Sequence, residues 1–543
     1  MRRWLTLALV AAGPVAVVCV FFVLPVSGMV ARGFWPGGTF DPGGVLEVLT
    51  RPRVARVAWF TVWSSAVGTA VAVILGLPAA FVLHRLAVPG RRVLRAAMLV
   101  PFVLPTVVVG VAFRLLLGEG GPLGFLDLDG TPAAIVAGLV FFNVAVVIRA
   151  VGAAWESLDP RPAEAAAALG ASPSQVWWTV TLPTLRPAIV SAASVVFLFC
   201  STAFGVVLIL GGVRHATIET EIYLLTTTLF DLQAAAALSV LQMVVVVVLL
   251  GVAARLRSTP DAASQRSAAR PRRPRVSDAP ALVATGVVIT LVAVPIVTLV
   301  VGSMRTDEGW SLANYRALGV GGTDVLPVPV TGALVTSVRT AVDATWMALA
   351  MGLAVALLVT RRSHSRGERR VRSVLDGIFM LPLGVSAVTL GFGFLITLDR
   401  PPVDLRDSAL LVPIAQALVA LPLVVRTLVP VLAAIDDRQR QAAASLGASP
   451  WRTLLSIDLL VVWKPLLAAS GFAFAASLGE FGATSFLARD DNPTVPVVIF
   501  RLLGHPGDLN YGMALAASVI LATTTALVMM AVERLRVPSA GAL

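Results

Sequence analysis

The chain has 543 residues, 57% of them hydrophobic and only 13% charged, against about a quarter charged in an ordinary soluble domain. That composition excludes a water-soluble enzyme or binding module and makes a lipid bilayer the natural solvent. A net charge of +12 does not indicate nucleic-acid binding, because the arginines fall between apolar segments and not on one domain.

A membrane helix needs about 20 mostly apolar residues. The first candidate follows Arg2 and Arg3 and runs roughly 4–30. It is too long for the apolar core of a secretory signal, which spans about 7–15 residues, and reads as a span. Five more follow at roughly 57–83, 96–117, 133–152, 188–210 and 234–254. Residues 258–279, rich in Pro, Ser, Ala and Arg and without apolar period, read as a flexible basic linker. Six further spans lie at roughly 280–302, 331–359, 374–397, 408–432, 465–487 and 512–532.

Arginines cluster after the second span (Arg85, Arg91, Arg92, Arg95), in the linker, and after the eighth (Arg361, Arg362, Arg366, Arg369, Arg370, Arg372). The alternate loops are poor in arginine or carry acids, among them Glu119, Asp127, Glu219, Glu221, Asp399, Asp404, Asp490 and Asp491. With a cytoplasmic N-terminus every strongly basic loop falls inside, and so does the C-terminus. The expected fold is an all-α integral membrane protein of about twelve transmembrane helices in a bacterial plasma membrane.

The halves repeat. Gly76-Leu77 matches Gly352-Leu353, Arg149 matches Arg426, and Phe204-Gly205 matches Phe481-Gly482. Six spans per half is even, so the repeats run parallel, about an axis along the membrane normal. The expected units are a first half, 1–257, the linker, and a second half, 280–543.

Each half carries one polar interruption, at 159–187 and 436–464. EAAAALGASPSQVWWTVTLP begins at Glu164, and QAAASLGASPWRTLLSIDLL begins 277 positions later at Gln441. Asp159-Pro160 is a helix start, and Gly170 suits the left-handed residue that ends one. Ser172 with Gln175 makes a capping-box pattern for a second short helix. Trp177, Trp178 and Val180 give that helix a bulky apolar surface, and Pro183 and Pro187 are expected to stop it before the next span. The second copy keeps Gly447, Ser449 and Pro450, with Trp451, Leu454 and Leu455 as its bulky set. A short amphipathic helix in the lipid interface would look similar, but a shape needed twice points to a partner met twice.

The run Glu164, Ala165, Ala166, Gly170, Leu182, Pro183 resembles the EAA loop of binding-protein-dependent ABC importer permeases. Segments around Phe199–Gly205, Glu221–Tyr223 and Ser477–Gly482 resemble that family's thiamine and ferric-iron branch. The resemblance implies a duplicated type I (MetI-like) permease. It implies a cytoplasmic coupling helix in each half, seated on two ATP-binding cassette subunits. An extracytoplasmic binding protein would deliver thiamine, a thiamine phosphate or ferric iron. The docking residues it implies are Glu164, Ala165, Ala166, Gly170, Ser172, Trp177, Leu182 and Pro183. In the second copy they are Gln441, Ala442, Ala443, Gly447, Ser449, Trp451 and Leu454. Gln441 and Leu460 depart from the family's Glu and Pro, which implies two unequal docking points.

The chain has no P-loop: Lys464 is its only lysine and no glycine-rich run precedes it. ATP and Mg would therefore be held by the partner subunits, and no cofactor is expected here. No catalytic or metal-ligating spacing appears; Cys19, Cys200 and the four histidines are scattered. Glu480, inside the eleventh span, is the sharpest pathway candidate, with Ser201, Thr202 and Ser477 beside the corresponding segments. Asn143, Gln242, Gln416 and Asp343 read as interhelical hydrogen bonders. An ion-gradient-driven secondary transporter is the alternative; it would work through intramembrane carboxylates and need no ATPase.

Overall fold

In a computed structural model of the chain, residues 11–98, 100–256, 271–306, 308–321, 326–361, 365–400, 403–406 and 408–535 are described. The expected start at Arg2 and Arg3 and linker residues 258–270 lie outside them. Almost all the rest is helix, with two short antiparallel hairpins, Arg305–Thr306 with Gly309–Trp310 and Asp399–Arg400 with Val403–Asp404.

Among the described residues, ten helices are long and apolar enough to cross a bilayer. They account for ten of the twelve expected spans. The third span of each half is broken instead. In the first half a 101° bend separates the helix ending at Val103 from Thr106–Leu117. In the second, the turn Leu381–Gly384 interrupts Arg366–Met380 before Ala387–Thr397. The latter has 11 residues, about 16 Å of helix against a hydrocarbon core of about 30 Å. Pro105 and Pro382, 277 positions apart, sit at the two breaks. A proline lacks the N–H that would continue the ladder, so the break falls where composition alone shows a continuous apolar run.

Each half is built on three mutually packed helices. In the first these are Pro52–Arg85, Pro132–Glu156 and Leu182–Ser201; in the second, Val330–Thr360, Leu411–Ala433 and Leu459–Leu478. Repeated glycines let these helices approach closely. A Cβ at Gly76 would meet Val147 at 2.7 Å, and one at Gly352 would meet Val424 at 2.5 Å. Without a hydrophobic drive between helices in lipid, such close backbone approach is what packing rests on.

The first span of each half crosses to the other. Ala11–Phe34 packs on Ala387–Thr397, with Phe21 and Phe394 rings 6.1 Å apart. Ala279–Ser303 packs on Pro52–Arg85 and Thr106–Leu117. The halves are therefore interleaved, as parallel repeats about a common axis require.

The end of the linker is held in place. Arg272 exchanges backbone hydrogen bonds with Arg85 and Ala87, pairs with Asp278 at 2.8 Å, and lies over the Phe81 ring at 5.6 Å. Flexibility expected up to residue 279 therefore stops by 271, because Asp278 gives Arg272 a partner.

Replacing Gly76 or Gly352 by Leu should force the second and fourth spans of that half apart. The expected cost is about 1–3 kcal/mol for an overpacked site, read as a lower midpoint in thermal unfolding of the purified chain.

Candidate functional site

Both repeated loops adopt one shape, set by local hydrogen bonds. Asp159 Oδ1 accepts from Arg161 N at 3.0 Å and starts the helix Arg161–Ala168. Gly170, at φ +89°, ends it. Gly170 N donates to Ala167 O and Ala171 N to Ala166 O, satisfying carbonyls a helix end leaves open. Gly447, at φ +81°, repeats this with donors Gly447 and Ala448 on Ala444 and Ala443. Ser172 then closes the capping box: its N–H donates to Gln175 Oε1 at 2.8 Å, and its Oγ accepts from Gln175 N at 3.3 Å. Ser449 Oγ accepts from Arg452 N at 3.2 Å, but arginine cannot return that bond, so the second cap is one-sided.

The prolines do not stop the second helix. It runs on from Pro173 to Ser201 through a π turn, Trp177–Thr181, with Pro183 and Pro187 inside. Leu182 N donates to Trp177 O, five residues back, which widens the helix just before Pro183 and accommodates its ring. The second copy has its π turn at Leu454–Asp458, 277 positions on, and runs continuously to Leu478. Leu460 stands there in place of Pro183, so the π turn does not depend on that proline.

The side chains divide into supports and exposed groups. Trp177 stacks on Trp155 at 5.6 Å, and Trp155 on Phe81 at 5.3 Å, which ties the loop to the ends of the fourth and second spans. Leu182 and Leu454 are half-buried. Glu164, Ala165, Gly170, Ser172 and Pro183 are exposed, as are Gln441, Ala442, Gly447, Ser449 and Trp451; Ala166 and Ala443 are partly covered. The residue before each glycine escaped notice in the sequence. Leu169 is 89% exposed and Leu446 88%, the same bare leucine at the same place on both loops. Its place in the shared Leu-Gly-Ala-Ser-Pro run was the available signal.

At the centre, equivalent residues of the two halves meet. Phe204 stacks on Phe481, rings 5.3 Å apart and 23° from parallel. Tyr223, Phe486 and Phe500 complete a closed aromatic cluster around them. Beside it, the helix Ile218–Thr227 carries Glu219 and Glu221, expected from the sequence in an outer loop and in fact buried. The helix packs inward because its acids have partners. Glu219 accepts from Gln242 Nε2 at 2.9 Å and from Ser386 Oγ of the other half at 2.8 Å. Glu221 takes both arms of Arg53. Pro496 and Val498 stand at their counterpart positions, an asymmetry visible in the sequence that marks Glu219 as the intramembrane acid bridging the halves.

The expected pathway residues lie near this cluster, in other roles. Glu480 accepts from Ala483 N at 2.7 Å and Thr484 N at 3.0 Å, capping the short helix Thr484–Leu487. Ser201 Oγ and Thr202 Oγ1 both donate back to Leu198 O at 2.9 Å. Ser477 Oγ is buried without a partner. Asn143 and Gln242 bond between helices, to Cys200 and to Glu219 and Ser201. Asp343 accepts only from Trp346 Nε1 on its own helix, at 3.3 Å. Gln416 is buried with Oε1 unpartnered.

The comparisons with known proteins agree with the duplicated architecture. The family described as "Binding-protein-dependent transport system inner membrane component" matches twice, at residues 72–258 and 348–536. The chain belongs to this family. It is thus a translocation subunit of an ABC importer, working with ATPase and substrate-binding partners, and not itself an enzyme. Membership sets aside the ion-gradient alternative. The permease is 27% identical over 486 residues to the thiamine transport system permease protein ThiP of Brucella abortus (strain 2308), covering 86% of this chain and 85% of that one. It is 28% identical over 466 residues to ThiP of Escherichia coli (strain K12), covering 83% of each. Over 265 residues it is 34% identical to the molybdenum transport system permease protein ModB of Mycobacterium tuberculosis (strain ATCC 25618 / H37Rv), covering 47% of this chain and 95% of that one.

Glu480→Ala in the permease should leave two buried N–H groups without an acceptor. The expected destabilisation is about 1–3 kcal/mol, seen as a lower unfolding midpoint, whereas Glu480→Gln, which keeps an acceptor oxygen, should lose less.

Proposed function

We propose that the permease imports thiamine or a thiamine phosphate delivered by an extracytoplasmic binding protein. Its two repeated loops would each seat one ATP-binding cassette subunit on the cytoplasmic side. The carrying observation is likeness to thiamine permeases through both halves, over 86% and 83% of the chain. The aromatic cluster supports the same choice. Thiamine presents two flat heteroaromatic rings, one cationic, and π faces attract such a group where a small oxyanion gains nothing. The buried Glu219 adds a carboxylate beside that path.

The docking surface on the first loop comprises Glu164, Ala165, Ala166, Leu169, Gly170, Ser172, Trp178 and Pro183. Trp177 and Leu182 hold it from behind. On the second it comprises Gln441, Ala442, Ala443, Leu446, Gly447, Ser449 and Trp451, with Leu454 behind. The arginine distribution supports a cytoplasmic position for both loops, the linker and both termini. In the conformation described, Phe204 and Phe481 close the path between halves 1–257 and 280–543. Closure of the ATPases would push both loops and part this stack as the halves rock outward.

Two experiments check the proposal. In membranes carrying the permease with its ATPase and binding protein, labelled thiamine uptake should require ATP. Uptake of molybdate or ferric iron in place of thiamine would overturn the substrate assignment. For the loops, Gly170→Val with Gly447→Val forbids the left-handed residue at both turns. The expected result is normal membrane insertion, with loss of ATPase co-purification and of uptake. ATP-dependent uptake at the wild-type rate in that double variant would refute the docking assignment.

A further inference from the structure

The second loop lacks the carboxylate of the first, since Gln441 stands where Glu164 does. A different acid serves this half. Asp458 closes the π turn Leu454–Asp458, where the loop helix runs into the eleventh span, and its side chain is 1% exposed. It holds two arginines from separate elements. Arg361 Nη2, just past the eighth span, donates to Oδ2 at 2.5 Å. Arg440 Nε, on the loop helix Asp437–Ser445, donates to Oδ1 at 2.9 Å. Arg440 also reaches Asp437 Oδ1 at 2.9 Å and Leu432 O, at the end of the tenth span, at 3.4 Å. Three side chains, Asp458, Arg361 and Arg440, thus join the loop helix to the ends of the eighth, tenth and eleventh spans.

The first half has no such knot. Thr181 occupies the place of Asp458 and Ala163 that of Arg440. Arg85, the counterpart of Arg361, keeps Nη1 buried without a hydrogen-bond partner and feels the Glu164 carboxylate only through space. The second half thus gives the arginine that ends its second span a direct anion at the root of the loop helix, where Arg85 has only the longer-range Glu164 on its loop helix.

A loop transmits a push only if its attachment is stiff, and buried charge-assisted hydrogen bonds are short and directional. We propose that Asp458 is the positioning residue of the second coupling loop, replacing the carboxylate lost at Gln441. Through Arg440 and Arg361 it carries displacement of the loop helix into the spans. The inference rests on the assignment of both loops as ATPase-docking contacts.

The test uses the complete importer in proteoliposomes and reads two quantities: ATPase co-purification, and thiamine imported per ATP hydrolysed. Asp458→Asn should still hold the ATPase, while import per ATP falls roughly fivefold or more, the lower end of common coupling strengths. Adding Gln441→Glu to that variant should restore most of the ratio, because it returns a carboxylate to the loop-helix position that Glu164 holds in the first half. Arg440→Gln, which cuts only the arm to the loop helix, should lower the ratio likewise and serves if Asp458→Asn accumulates poorly. A wild-type ratio in Asp458→Asn or Arg440→Gln overturns the inference. So does a fall that Gln441→Glu does not repair, which would mark Asp458 as local packing. If the wild-type chain fails to hold the ATPase, the docking assignment itself falls, and this inference with it.

Discussion

Backbone polar groups at membrane depth must find partners within the protein, and this constraint arranges the molecule. Each half breaks several helices, and the freed groups are met by side chains, some from neighbouring helices and some from the break itself. Ile218 N donates to Thr61 Oγ1 of the second span, and Val495 N to Ser337 Oγ of the eighth. Glu480 receives the amides of Ala483 and Thr484, and Ser386 Oγ that of Thr389. Such breaks are tolerable only between the halves, away from lipid. The irregular segments therefore gather where Phe204 meets Phe481, and a path that must open and close needs segments of that kind.

The two loops reach one shape with unequal parts. Their outlines match, because a left-handed glycine and the hydrogen bonds around it leave little freedom, and both run into a π turn. Their attachments differ. The first is braced by aromatic stacking, Trp177 on Trp155 on Phe81, the second by the buried Asp458 with Arg361 and Arg440. The missing glutamate of the second copy, which implied a weaker docking point, is therefore accompanied by a more heavily bonded root. Duplicated units can drift in this way when what is kept is the stiffness of a joint and not the residues that supply it.

Much of this was legible in the chain itself. Apolar length gave ten intact spans, since hydropathy in lipid is a local property, and the repeated motifs gave the duplicated order. Capping chemistry gave the loop shape, because each bond joins residues within five positions. The third spans and the run through Pro183 and Pro187 were misread, because a break or a π turn depends on what neighbouring helices can satisfy. Glu219 looked like a loop acid until Gln242 and Ser386, distant in sequence, came to meet it.

The sequence by itself determined the solvent, the repeat and the glycine turns, all of which rest on composition or short-range chemistry. Only the tertiary structure decided which acids work and where. It turned Glu480 into a helix cap, made Glu219 a bridge between halves, left Leu169 and Leu446 bare, and paired Asp458 with two arginines. A carboxylate's role is set by the donors around it, and those donors come from helices that meet only when both halves fold together.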